Sequence, residues 1–275
     1  MGTLAKRTAS GVLFCLVVVG CCLSPWGLAA LACLLSVALS FEFWRMTVSR
    51  RFVREMVCVA FSSLTLLVLL FLNLQYGLQA KWLSLAFLPV VAASIFLLFD
   101  GAEHHDFPSA VYFPLVYIAF PLASMLLIAW PGGVFCWRIL LGLVVMMWMN
   151  DIGAYVIGMG FGQRPDSRKL FPALSPKKSW VGVLGGTLFT FGAAWAVFAT
   201  FGGSVLPLVH WMGLALVVSV VGVAGDLFES LIKRHAQVKD AGNIIPGHGG
   251  LLDRFDDVLF VLPVAFVYLE LFSLL

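Results

Sequence analysis

Nine apolar runs separated by short polar loops restrict this chain to one kind of fold. They lie near residues 11–24, 26–41, 56–72, 82–99, 110–130, 134–158, 180–201, 208–232 and 256–275. A helix needs about 20 such residues to cross the hydrocarbon core. In lipid a spanning segment must satisfy its own backbone hydrogen bonds, which runs of this kind do as helices. With 61% hydrophobic and 11% charged residues over 275 positions, the chain is neither a secreted disulfide scaffold, a disordered regulator nor a soluble two-domain enzyme. The expected fold is all-α, a polytopic integral membrane protein of about nine transmembrane helices. The first two runs are divided by Pro25 and read as a tight hairpin; read as one broken helix, they lower the count to eight. Residues 1–275 are expected to form a single membrane-embedded domain, with N-terminal helices over 1–130 and the motif-bearing part over 131–275.

Basic residues set the orientation. With the N-terminus cytoplasmic, nine spans put the loops near 42–55, 100–109, 159–179 and 233–255 on the cytoplasmic side. Those loops and the N-terminus hold all of the 17 Lys and Arg residues except Lys81 and Arg138, as the positive-inside rule prefers. A multi-pass protein of the inner, cytoplasmic membrane is expected. Lys6 and Arg7 before an apolar stretch, with Ala29, Ala30 and Ala32 beyond it, resemble a cleaved leader. The chain is apolar on both sides of those alanines, so no cleavage is expected. The six cysteines lie in or beside apolar runs with no metal-site spacing and read as small packing residues. Trp44, Trp82, Trp130 and Trp211 stand near predicted span ends and are expected in an interfacial belt. The basic segment Arg45, Arg50, Arg51 and Arg54 reads as a topology signal.

Acidic residues crowd into one stretch: Asp226, Glu229, Asp240, Asp253, Asp256 and Asp257, beside Lys233, Arg234, Lys239, Arg254, His235 and His248. Asp226, Glu229 and Lys233 lie three and four apart and share one face of a helix. Asp253 and Asp256 share a face at the start of the last one. An Asp within a span costs about 2.5–3.5 kcal/mol on insertion scales, so Asp226 needs a partner. Either an ion pair joins two helices, or carboxylates from both hold a divalent metal.

The run from Ser230 to Asp256 resembles the defining motif of the phosphatidate cytidylyltransferases, or CDP-diacylglycerol synthases. The matching positions are Ser230, Lys233, Arg234, Lys239, Asp240, Gly242, Pro246, His248, Gly249, Gly250, Asp253, Arg254 and Asp256. Upstream, Asn150-Asp151-Ile152-Gly153-Ala154-Tyr155 and Ser175-Pro176-Lys177-Lys178-Ser179 also resemble segments of that family, the second followed by Gly182, Gly185 and Gly186. The chain departs from the pattern at Val181, where an acidic residue is common, and at Asp257, where Ser is common.

The resemblance implies a nucleotidyltransferase that moves the cytidylyl group of CTP to phosphatidate, giving CDP-diacylglycerol and pyrophosphate for phospholipid synthesis. The expected partners are CTP, phosphatidate and membrane lipid, with no nucleic acid; self-association into a homo-oligomer is left open. Such a reaction brings two anions together, so positive charge and in-line positioning dominate. Mg²⁺ is the expected cofactor, with Asp226 and Asp253 as first ligands and Asp256 as third. Lys233, Arg234, Lys239, Asp240, His248 and Arg254 are the other catalytic candidates. Asp151, Tyr155, Ser175, Lys177, Lys178, Ser179, Glu229, Ser230, Gly249 and Gly250 are candidates for substrate binding. Gly249 and Gly250 either offer backbone N–H groups to a phosphate or make a plain turn. Glu103-His104-His105-Asp106 reads as a solvated loop. An ion-coupled transporter would explain Asp151 and Asp226 but not the basic clusters. A CTP-dependent lipid kinase would release CDP instead of pyrophosphate.

Overall fold

The computed structural model describes residues 3–48, 52–99, 109–164, 167–244 and 249–275. His248 and the segment Glu103–Asp106, both singled out above, lie outside the described residues. Each expected apolar run has a helix. Among the described residues, six are long and apolar enough to cross a membrane: Pro25–Thr47, Val53–Tyr76, Ala110–Ile128, Trp137–Phe161, Trp180–Phe201 and Leu208–His235. Shorter apolar helices cover Thr8–Cys22, Ala80–Ile95 and Val258–Leu271. The protein is an all-α polytopic membrane protein. Its chain divides into two compact units, Met1–Phe135 with Val238–Arg254, and Cys136–Gln237 with Phe255–Leu275.

In the first unit, α1 (Thr3–Cys22) and α2 (Pro25–Thr47) are separate helices folded into a hairpin. Pro25 opens α2, where its missing N–H costs nothing, and the Ser24 hydroxyl accepts the Gly27 N–H at 3.3 Å. The turn is tight: a Cβ on Gly27 would stand 2.9 Å from the Cys21 carbonyl oxygen. After α3 (Val53–Tyr76) and its left-handed cap at Gly77 come a 3₁₀ segment and α4 (Leu88–Phe99). The next span begins as α5 (Ser109–Pro114), loosens into a π turn over Leu115–Ala119, and continues as α6 (Phe120–Ile128). Pro114 and Pro121 both lack the N–H that a regular ladder needs there. Leu28, Leu35 and Leu39 of α2, Val59 and Leu67 of α3, and Leu122 and Leu126 of α6 are core residues of this unit.

The second unit is built from α7 (Trp137–Phe161), α8 (Trp180–Phe201), α9 (Leu208–His235) and α10 (Val258–Leu271). Small residues let α7 and α8 approach closely. A Cβ on Gly185 would strike Ile157, and one on Gly186 would lie 2.6 Å from the Asn150 side-chain oxygen. Asn150 is buried in α7, and its Oδ1 accepts the Thr190 hydroxyl of α8 at 3.3 Å. The loop expected at 159–179 contains a small antiparallel hairpin, β1 (Lys169–Phe171) and β2 (Ser175–Ser179), with Lys169 opposite Ser179. Lys169 Nζ donates to the Gly162 carbonyl at 2.8 Å, and Gln163 Nε2 to the Lys177 carbonyl at 2.9 Å. These bonds pin the hairpin to the end of α7.

The expected tryptophan belt is corrected for three of its four members. Trp44, Trp130 and Trp211 are buried. Trp44 Nε1 donates to the Val111 carbonyl at 3.1 Å, Trp130 packs edge-on against Phe71 and Phe135, and Trp211 fills the space that Gly142 leaves. Their large rings fill gaps between helices, which outweighs a headgroup position. Trp82 is exposed.

Candidate active site

Side chains from three parts of the second unit converge toward the C-terminal end of α9. Asp226 and Glu229 stand one helical turn apart on α9, and Asp256 just precedes α10. One carboxylate oxygen from each lies within 4.8 Å of the other two. Gly225 permits the approach, since a Cβ there would stand 2.6 Å from the Asp256 carbonyl oxygen. Two lysines face the acids. Lys178, carried by β2, pairs with Asp226. Lys233, a further turn along α9, donates from Nζ to Glu229 Oε2 at 2.5 Å. Glu229 is completely buried, whereas the Asp226 side chain is 38% exposed. The group is therefore rooted in the bundle and open on one side. Three oxygens this close form a donor set suited to a hard divalent cation such as Mg²⁺.

The last span was expected from residue 256, but α10 begins at Val258, leaving Asp256 and Asp257 ahead of it. Burial first, then the charges of Asp226, Asp257, Glu229 and Asp151, holds the Asp256 carboxyl well above the usual carboxylate range. Asp257 is pushed up to about 8, by burial and then by the charge of Asp151. Its Oδ1 accepts the Val258 N–H at 2.7 Å, so this departure from the family pattern caps a helix. Asp151 and Tyr155 share an exposed face of α7.

Several sequence candidates have other work. Ser179 is buried and caps α8, its hydroxyl accepting the Gly182 N–H at 3.2 Å. Ser175 opens β2, Lys177 is exposed along it, and Ser230 is buried on α9. Arg234, Lys239, Asp240 and Arg254 are exposed. Asp253 belongs to the first unit, where its carboxylate fastens backbone. Oδ1 and Oδ2 accept the Ala241 N–H at 3.2 and 3.1 Å, and Oδ2 accepts the Gly250 N–H at 2.8 Å. Within the second unit, the acids that converge among the described residues are Asp226, Glu229 and Asp256. Of the two readings of Gly249 and Gly250, the turn fits. Gly249 has φ +85, and the Gly250 N–H is taken by Asp253.

The family model described as the cytidylyltransferase family matches residues 5–272. The chain belongs to the cytidylyltransferase family. It is 33% identical to the phosphatidate cytidylyltransferase of Thermotoga maritima over 193 residues, 69% of each chain. It is 44% identical to that of Bacillus subtilis over 129 residues, 47% of this chain and 46% of the relative. With the enzyme of Pseudomonas aeruginosa it shares 41% over 147 residues, 51% of this chain and 52% of the other. The chain spans about half the length of the Bacillus subtilis and Pseudomonas aeruginosa relatives. In this cytidylyltransferase-family chain, the sequence set Glu229 on the same helix face as Asp226 but assigned it to substrate binding and not to the metal. Its spacing three after Asp226 was the available signal. Glu42 was missed altogether.

Proposed function

We propose that this protein is a phosphatidate cytidylyltransferase whose Mg²⁺ is held by Asp226, Glu229 and Asp256. The observation that carries the reading is the convergence of three carboxylates and two lysines in a membrane protein of the cytidylyltransferase family. The family match, the names of the relatives and the donor chemistry support it.

A phosphate monoester has a second pKa of about 6, so phosphatidate arrives as its own nucleophile and needs no strong base. Its oxygen bonds to the α-phosphorus of CTP while the bond from that phosphorus to the bridging oxygen breaks, and pyrophosphate leaves with that electron pair. When bound, Mg²⁺ neutralises triphosphate charge in flight. Lys178 and Lys233 hold phosphate oxygens, released for that purpose from Asp226 and Glu229 as the anion enters. Lys177 and Arg234 add positive charge for the nucleotide or the lipid phosphate, and Lys239 and Arg254 are assigned to the same work on the motif resemblance alone. Asp151 and Tyr155 line the approach along α7. The protein sits in the inner membrane with its N-terminus and these loops cytoplasmic, where CTP is available.

Radiolabelled CTP offered to the purified protein with phosphatidate tests the reading. CDP-diacylglycerol and pyrophosphate in equal amounts, dependent on Mg²⁺, are expected. CDP as product would convert the reading to a lipid kinase, and no consumption of CTP would remove it.

A further inference from the structure

Glu42 is an acid near the end of a membrane helix, 2% exposed between the phenylalanines of Phe41-Glu42-Phe43. Its partner is remote in sequence. Oε2 accepts the Leu252 N–H at 2.7 Å, across 210 positions. Both residues belong to the first unit, and the contact holds the segment Val238–Arg254 against α2. Two glycines are shaped around the carboxylate. A Cβ on Gly242 would have Glu42 atoms as its three nearest neighbours, including Cδ at 2.9 Å and Cγ at 3.3 Å. One on Gly250 would stand 2.9 Å from Oε2. Asp253 fastens the same segment through Ala241 and Gly250. One carboxylate therefore ties the segment to itself, and a second ties it to a helix.

We infer that Glu42 is a positioning residue: it fixes the 238–254 segment, and with it Lys239, Asp240 and Arg254, for the reaction proposed above, on which this role rests. The fixing is by shape and hydrogen bonding. A buried carboxylate that accepts a backbone N–H makes one of the stronger hydrogen bonds available, and a truncated partner leaves that N–H unmet. Gly242 gives the arrangement its signature. Any side chain there pushes on the same carboxylate and breaks the same contact from the other side.

The test uses the full chain in nanodiscs, with the six native cysteines replaced and a nitroxide on Asn243→Cys, an exposed position of the segment. Glu42→Ala and Gly242→Ala should each mobilise the nitroxide and lower kcat about 10- to 100-fold. Their double mutant should be no worse than either alone. Glu42→Gln keeps an acceptor oxygen and the shape, and should restore both the ordered spectrum and most of the turnover. If Glu42→Ala does not insert, Gly242→Ala carries the test, since its new methyl group displaces the same carboxylate. An ordered nitroxide in the folded single mutants, additive losses in the double, or no rescue by Glu42→Gln would overturn the role. The spectra do not depend on the reaction. A parent protein that makes no CDP-diacylglycerol overturns the proposed function, while an active parent with an ordered Glu42→Ala segment overturns the role of Glu42 alone.

Discussion

Asp226→Asn separates a metal site from a structural ion pair by whether its effect depends on Mg²⁺. Asp226 lies within 4.8 Å of Glu229 and Asp256 and pairs with Lys178. At that separation and an effective dielectric constant of about 20, each charge pair is worth roughly 3 kcal/mol. Asp226 is partly exposed, so solvent reduces each interaction to about half of that. Replacing it by Asn relieves repulsion, chiefly from Glu229, and loses the contact with Lys178, two effects of similar size and opposite sign that leave a net change within about 1 kcal/mol without a cation. The unfolding midpoint in chelator should therefore stay close to the parent's. With Mg²⁺ the balance is lost. One of three ligand charges is gone, and a loss of about 3 kcal/mol raises the half-activating Mg²⁺ concentration about a hundredfold. CDP-diacylglycerol formation titrated with Mg²⁺, beside thermal unfolding with and without the ion, reads both effects. Glu229→Gln should behave alike in activity, and the double mutant should be little worse than either single, because ligands of one ion act as a unit. A folded Asp226→Asn protein with parental turnover at low Mg²⁺, or one whose midpoint in chelator falls while its Mg²⁺ response is unchanged, refutes the reasoning.

Asp253→Asn should lower turnover through the loop, leaving the half-activating Mg²⁺ concentration of the residual activity within about threefold of the parent, a shift of well under 1 kcal/mol. Lys178→Ala should raise the KM for CTP about tenfold or more while Lys177→Ala costs less, since only Lys178 is paired within the acid group; steady-state kinetics of the two single mutants compare them. Gly225→Ala should destabilise the protein by about 1–3 kcal/mol, because the added methyl has no room beside the Asp256 carbonyl; a thermal unfolding midpoint equal to the parent's would show that the site is loosely packed. Cysteines placed at Ala173 and Gln237, both exposed, should be labelled from the cytoplasmic side only, and labelling from outside intact cells would invert the topology.

The spans were legible because their signal is coarse. Some 20 apolar residues in a row admit one structure in lipid, and each run found its helix. The Ser24-Pro25 break was equally legible, since a cap followed by a first-turn proline has one meaning in a helical hairpin. The β1–β2 hairpin was not. Strands of three and five residues are too short for a periodicity, and what holds them is Lys169 and Gln163 reaching the end of α7. The tryptophans misled for a related reason. Being near a span end is a sequence property, but whether a neighbouring helix leaves a hole, as Gly142 does for Trp211, is a property of two helices at once.

At the candidate site, local spacing was readable and long-range pairing was not. Asp226, Glu229 and Lys233 could be set on one face by counting residues, and their contacts follow that count. Asp253 shows what a motif omits. The pattern marks the position, yet a carboxylate that binds a metal and one that binds backbone amides look the same in a string of letters. Here its oxygens accept the Ala241 and Gly250 amides, a loop contact that the pattern does not announce. Glu42 is the extreme case. An acid between two phenylalanines carries no signal of its own, and its meaning depends on an amide 210 positions away. Gly242 and Gly250 carried a trace of it, for two motif glycines outside the left-handed region need a steric reason for lacking a side chain. The structure supplies that reason at both positions: the Glu42 carboxylate at Gly242, and the Gly242 backbone together with that carboxylate at Gly250.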